Sequence, residues 1–235
     1  MQKVFVIDSE GKPLLPCHPA RSRKLLKAGR AKVIQVVPFT IQLSHKIANL
    51  VGSFTAGIDD GAKKVGVAIM NSETNEVVFK GQINLRQDVS LKMKQRREYR
   101  GARRSRNLKY RKPRFNNRIS KKLAPSIRCR KDSILRFLKD MLKRINIVKV
   151  VVEEIKFNHF KHRYGKFFSL VEIGKNYLKQ QIIDLGLRYF AFFGYQTKFR
   201  RIVLRLSKSH SNDAISMICE KGRPIINSLE WIIKP

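Results

Sequence analysis

Residues 54–85 read FTAGIDDGAKKVGVAIMNSETNEVVFKGQINL, and three strands can be laid on them. Thr55 to Asp59 is the first, Asp60-Gly61 is a hairpin turn signal, and Val65 to Met70 is the returning strand. Asn71 to Asn75 reads as loop and Val77 to Ile83 as the third strand, so the segment predicts a meander. Further on, Ile147 to Val152 is almost wholly β-branched, the composition of a strand buried in a parallel sheet. An amphipathic helix, Ser133 to Leu142, precedes it, and a helix from Phe167 to Leu185 follows. An aromatic segment from Tyr189 to Tyr195 comes next, then a last helix from about Ser211 to Lys221, stopped by Gly222. The class this predicts is α/β.

Upstream of the meander, Val4 to Ile7 reads as a strand and Gly11-Lys-Pro-Leu-Leu-Pro16 as a proline-bounded turn. A helix from Arg21 to Ala28 stops at Gly29, a good residue for closing a helix. Val33 to Val37 and Phe39 to Leu43 are strands, with Pro38 at an edge or bend between them.

Charge narrows the function. The 235 residues carry 51 Lys and Arg against 17 Asp and Glu, a net +34 that repels itself unless a polyanion neutralises it. A hydrophobic content of 43% with 14 Phe excludes a disordered basic tail. No run approaches the roughly 18 apolar residues of a membrane span, and the amino terminus has no secretory core. Cys17, Cys129 and Cys219 are too scattered for a disulfide framework or structural zinc site, which points to a reducing, cytoplasmic setting.

The cations concentrate between Leu91 and Lys122, where 15 of 32 residues are Lys or Arg and Glu98 is the single acid. Asp88 or Ser90 is placed to cap a helix running toward Tyr110, with Pro113 at its end, roughly 30 Å long. Arg96, Arg97, Arg100, Arg103, Arg104 and Arg106 recur at steps of three and four, a stripe suited to a phosphate backbone. Tyr99, Tyr110 and Phe115 are interleaved, either to stack on bases or to anchor the helix.

Acids are scarce, so their positions carry information. Asp59 and Glu153 each end a predicted strand, and Asp213 lies in the first turn of the last helix, three residues after His210. Three carboxylates from separate segments can meet at one edge of an α/β sheet, where a hard cation such as Mg²⁺ relieves their repulsion. In a basic chain that combination suggests two-metal phosphodiester hydrolysis, with His210 taking a proton from water. Each residue also has a plainer reading. Asp60 is a turn former, Glu153-Glu154 is a solvated strand end, and Asp213 is an acid at a helix start. His18, His45, His159 and His162 show no ligand spacing and read as surface histidines.

Taken in order, Gly11-Lys-Pro-Leu-Leu-Pro16, Ala31-Lys-Val with Pro38-Phe-Thr-Ile-Gln-Leu43, Gly57-Ile-Asp-Asp-Gly61, the arginine run from Arg96 to Arg106, Arg114-Phe-Asn-Asn-Arg118, Val151-Val-Glu153 and Lys208-Ser-His-Ser-Asn-Asp-Ala214 form a set. That set resembles the IscB/IsrB group of transposon-associated RNA-guided proteins, over nearly the whole chain. The resemblance implies an RNase H-like (RuvC) mixed sheet with flanking helices, an arginine-rich bridge helix and a small amino-terminal α+β domain. It divides the chain into an amino-terminal domain (1–52), a first RuvC-like piece (53–88), the bridge helix (89–122) and the remaining RuvC-like pieces (123–235). Asp59, Glu153, His210 and Asp213 fall on the catalytic positions, with Asp59, Glu153 and Asp213 holding two Mg²⁺ ions, Mn²⁺ being a substitute. Arg96, Arg97, Arg100, Arg103, Arg104, Arg106, Arg111 and Arg114 match the bridge helix that contacts guide RNA and heteroduplex.

About fifty residues separate Glu154 from Lys208, with no His-Asn-His set, so an HNH insertion is absent and the likeness is to the nickase branch. About twenty residues follow Asp213, so the family's target-motif-reading domain is expected to be missing. The implied protein is an RNA-guided, Mg²⁺-dependent nickase, monomeric within a ribonucleoprotein, with guide RNA and target DNA as partners. It would be cytoplasmic in a bacterium and associated with the nucleoid when on DNA. Two rivals stay open: a guide-independent, structure-specific nuclease and a non-catalytic RNA-binding relative.

Overall fold

The computed structural model describes residues 3–47, 52–106, 123–155, 168–220 and 222–234. At the amino terminus, β1 (Phe5–Ile7) pairs in parallel with a strand 35 residues on, and a helix lies between them. That helix, α1 (Pro19–Lys27), starts where the His18 imidazole accepts the Ala20 N–H at 3.2 Å. Proline at its first position is preset for a helix, so α1 begins two residues before the expected Arg21. Gly29 closes it at φ +66°, with its N–H on the Leu26 carbonyl at 3.1 Å and that of Arg30 on Leu25 at 3.0 Å. Strands β2 (Ala31–Gln35) and β3 (Thr40–Leu43) complete a sheet of order β1-β3-β2. Val4, Val6, Leu14, Ile41 and Leu43 form its core, while the alternate residue Phe5 joins the main core.

The predicted meander is present as β4 (Phe54–Asp59), β5 (Lys64–Asn71) and β6 (Glu76–Asn84), all antiparallel. The basic helix follows as α2 (Val89–Ser105), with no buried residue in its 17. Asp88 occupies the position before it but caps nothing: its backbone is already helical, and its carboxylate pairs with Arg86 and Lys92 at 2.9 and 2.7 Å. Then come α3 (Pro125–Leu142), β7 (Ile147–Glu154), α4 (Phe168–Asp184) and β8 (Arg188–Phe193), with β7 parallel to both β4 and β8. Helices α5 (Gly194–Val203) and α6 (His210–Ile218) precede two short strands, β9 (Ile225–Ile226) and β10 (Glu230–Ile233), each parallel to β6.

The resulting order, β10-β6-β5-β4-β7-β8, joins an antiparallel meander to a parallel pair in one mixed sheet of the RNase H-like class. Alternate side chains face opposite layers. Phe54, Ala56, Ile58, Val65, Val67 and Ile69 pack with Ile134, Leu138 and Met141 of α3 and with Leu178 and Ile182 of α4. Ala68, Met70 and Val151 pack on Ala214, Ile215 and Ile218 of α6. Val150 and Val152 belong to the first core and Val151 to the second, as a doubly covered parallel strand requires. Four elements went unpredicted: α5, β9, β10 and β8, whose residues read only as an aromatic segment. Helix α6 ends at Ile218, short of the expected Lys221. No helix among the described residues is long and apolar enough to cross a membrane.

Helix α6 lies almost on the backbone of the meander. A Cβ at Gly57 would sit 2.3 Å from the Ala214 carbonyl oxygen, and one at Gly66 would sit 1.9 Å from that of His210. Both obstacles are backbone, so neither can swing away. Gly57→Ala and Gly66→Ala are each expected to lower stability by about 2–3 kcal/mol. Gly101→Ala on α2, where nothing lies within 4 Å, is expected to gain about 0.5–1 kcal/mol. Thermal unfolding of the three variants checks the contrast.

Candidate active site

Strands β4 and β7 run in parallel, with Gly57 beside Val151 and Ile58 beside Val152. Their carboxyl ends therefore deliver Asp59 and Glu153 as neighbours at one sheet edge, where parallel α/β sheets hold ligands. The close approach of α6 brings His210 and Asp213 over the same edge. Polar residues around them build that helix start. The Ser209 hydroxyl accepts the Asn212 N–H at 3.1 Å, and Asn212 donates to the Ser207 carbonyl and hydroxyl at 2.9 Å each. Ser211 donates to Glu230 of β10 at 2.7 Å, and Gln82 of β6 donates to the same oxygen at 2.8 Å. Capping thus belongs to Ser209, while Asp213 does stand in the first turn as the acid at the helix start that the plainer reading describes.

All four predicted residues come together. His210 Nδ1 lies 2.6 Å from Asp59 Oδ2, Asp59 and Glu153 hydrogen-bond to each other, and Asp213 acts on both through its charge. Arg201 of α5 donates to Asp213 Oδ1, with both side chains about 85% shielded. Burial pushes the Asp59 carboxyl up to about 6; a hydrogen bond with Glu153 opposes this, and the Asp213 and Asp60 charges add to it. Burial likewise pushes Glu153 up to about 7, helped by its hydrogen bond to Asp59 and by the Asp59 and Asp213 charges, while Thr197 opposes. The two carboxyls therefore titrate as a coupled pair, both held above the usual carboxylate range by burial and by each other.

Three contributors were not foreseen. Arg201 neutralises Asp213, and Thr197, 2% exposed, bonds Glu153. Lys131 of α3 forms an ion pair with Asp60 that is nearly buried on both sides. Asp60 does sit in the predicted turn, but its side chain also ties that turn to α3. Glu154 accepts from the Tyr189 hydroxyl and faces Lys175 at 3.8 Å, so it is no solvated strand end. Arg96, Arg97, Arg100, Arg103, Arg104 and Arg106 are all exposed on or just beyond α2. Arg111 and Arg114, with Tyr110 and Phe115, lie outside the described residues, as do His159 and His162. A separate cavity of about 750 Å³, between α3, α4 and β10, contains none of these residues.

The donor set of three carboxylates and an imidazole suits a hard divalent cation. Its present arrangement does not form a ready cage: among the described residues, no group of three or more His, Cys, Asp or Glu is spaced to hold a metal. His210 holds one oxygen of Asp59 and Arg201 one oxygen of Asp213, so a cation entering there shares Asp59 with the imidazole and competes with Arg201 for Asp213.

The mixed sheet, with acids at its parallel edge and a His/Asp-bearing helix laid across it, defines a RuvC-like domain of the RNase H class. The chain belongs to the RRXRR protein family, whose model matches residues 4–171. No curated protein matches it in sequence. Among solved structures it is similar to Thermus thermophilus RuvC in complex with Holliday junction substrate, at 15% identity over 71% of this chain and 90% of that one, with a TM-score of 0.43. Another structure of Thermus thermophilus RuvC is similar at 16% identity over 70% and 90%, with a TM-score of 0.42.

The coupled titration makes stability pH-dependent. Both carboxyls have folded-state pKa values above their unfolded ones, so the stability they confer is full at low pH and is lost as pH rises through about 6 to 7. In metal-free buffer the melting temperature is expected to fall by roughly 3–6 °C between about pH 5 and pH 8, after discounting for partial exposure. Glu153→Gln is expected to remove most of that fall. Differential scanning calorimetry across the pH series checks it.

Proposed function

We propose that this protein is a divalent-metal-dependent nuclease that cleaves phosphodiester bonds in one strand of DNA under the guidance of a bound RNA. The observation that supports it best is the meeting of Asp59 and Glu153, at neighbouring parallel strand ends, with His210 and Asp213 in a chain carrying +34. Four ionisable groups gathered at one sheet edge, Asp59 buried and the other three partly so, are costly to fold without a task, and such clusters mark reaction centres.

Asp59, Glu153 and Asp213 would hold the cations, Mg²⁺ or Mn²⁺, and the bound metal supplies charge stabilisation for the phosphate and acidifies water. His210 keeps its Nδ1 toward Asp59, which fixes the ring and leaves Nε2 to accept a proton from the attacking water. Thr197 holds the Glu153 carboxyl in place from α5. The exposed arginines of α2 follow the phosphate backbone of the RNA or its duplex with DNA. Guidance by RNA is supported by the resemblance to IscB/IsrB proteins together with this basic helix: in this reading base pairing selects the sequence, and the protein reads shape and performs the chemistry.

Asp59→Asn is expected to abolish Mg²⁺-dependent nicking while RNA affinity stays within about twofold; loss of RNA binding alongside activity would make the acid structural. Replacing Arg97, Arg100 and Arg104 together by Ala is expected to weaken RNA binding and reduce its logarithmic salt slope by about 2–3. Because Arg201 competes for Asp213, Arg201→Met is expected to tighten Mn²⁺ binding on the order of fivefold in a calorimetric titration.

A further inference from the structure

At the carboxyl ends of β7 and β8, a groove of about 360 Å³ opens between Glu153, Glu154, Ile155, Phe193, Gly194 and Tyr195. One side is the catalytic edge itself. Gly194 lies so close to Glu153 that a Cβ there would stand 3.2 Å from Oε1, placing the groove directly against that carboxyl. The other side is aromatic. The Phe193 and Tyr195 rings are parallel to within 7°, with centroids 6.2 Å apart, and Tyr195 is 72% exposed at the lip.

The lining decides what fits. Among the described residues it holds two carboxyl groups, an isoleucine, a glycine and two aromatic rings, with Lys175 behind it on the Ile155 carbonyl at 2.9 Å and facing Glu154 at 3.8 Å. In a chain with three cations for every anion, a groove so rich in aromatic surface favours a flat, uncharged ring over a phosphate. A large, exposed tyrosine at the start of a helix has no folding task, since its ring is out of the core. A base within a duplex has both faces covered by its neighbours, so only an unstacked base can lie against Tyr195.

We infer that the Phe193–Tyr195 groove takes one unpaired nucleobase of the strand whose backbone passes the Asp59–Glu153 pair. The base stacks on Tyr195 and leans into the groove, and this fixes how far along the strand the neighbouring phosphodiester lies from the acids. Tyr195 is then a positioning residue for the cleaved strand, and the phosphates remain with the cations on α2, on α5 and around Lys208. The inference rests on the nuclease reading above and adds to it a base subsite.

The test uses the full chain in EDTA, so that nothing is cut, and single-stranded DNA of about twelve nucleotides carrying 2-aminopurine at each position in turn. Wild-type protein is expected to bind and to quench the probe at one or two positions. Tyr195→Ala and Tyr195→Leu are each expected to lose that quenching and to weaken binding five- to tenfold, while Tyr195→Phe keeps both. Unchanged thermal unfolding of the exposed-site variants confirms that they are folded. Equal quenching and affinity in wild type and Tyr195→Ala overturn the base subsite. Full recovery of affinity by Tyr195→Leu overturns it too, because the groove is then an apolar docking patch for a protein segment. If wild-type protein binds no single strand at all, the failure belongs to the nucleic-acid reading of the whole site.

Discussion

The rest of the molecule depends on how near one helix comes to one sheet. With only hydrogen at Gly57 and Gly66, the carbonyls of Ala214 and His210 rest against the strand backbone, and α6 lies where no side chain could intervene. That contact sets the depth of the second core, built from Ala68, Met70 and Val151 under Ile215 and Ile218. It also sets the height of His210 above Asp59. Packing and chemistry are therefore one constraint: whatever lifts α6 opens the core and separates the imidazole from its carboxylate.

The site in this form satisfies itself. Asp59 is coupled to Glu153, which raises the Glu153 carboxyl, and bonds His210, and Asp213 is matched by Arg201. Each buried charge has a partner, as burial demands. The same pairings set the order of events for a cation, which has to offer the carboxylates more than a proton and a guanidinium already do. Arg201, once released, stays tethered to α5 at the edge of the site, a position from which a cation can meet a phosphate oxygen.

Much of this was legible in the chain. The meander declared itself because small and β-branched residues alternate between turn-forming stretches, and β7 because its valines face two cores. The acids stood out because they were rare and sat at element ends. The arginine run declared an exposed helix, since a stripe so poor in apolar residues has no face to bury. What stayed hidden had physical reasons. Between Tyr189 and Tyr195 a strand passes straight into α5 at Gly194, and aromatic residues serve either state. Arg201 and Lys131 were two cations among 51, and only the fold distinguishes the one on Asp213 and the one on Asp60. The His18 cap was missed because an imidazole rarely does what Ser or Asp usually do. The edge strands β9 and β10 are two and four residues long, below the length at which a period of two can be read.

Helix α2 has a consequence of its own. None of its residues is buried, and arginines four apart, such as Arg96 with Arg100 and Arg100 with Arg104, push against each other along its length. A rod of 17 residues without a packed face is only marginally helical in water. Neutralising it removes the repulsion, so its winding and its occupancy are thermodynamically linked. If a polyanion loads on it as proposed, the helix content of the protein rises, and the rod's own circular dichroism reports the assembly.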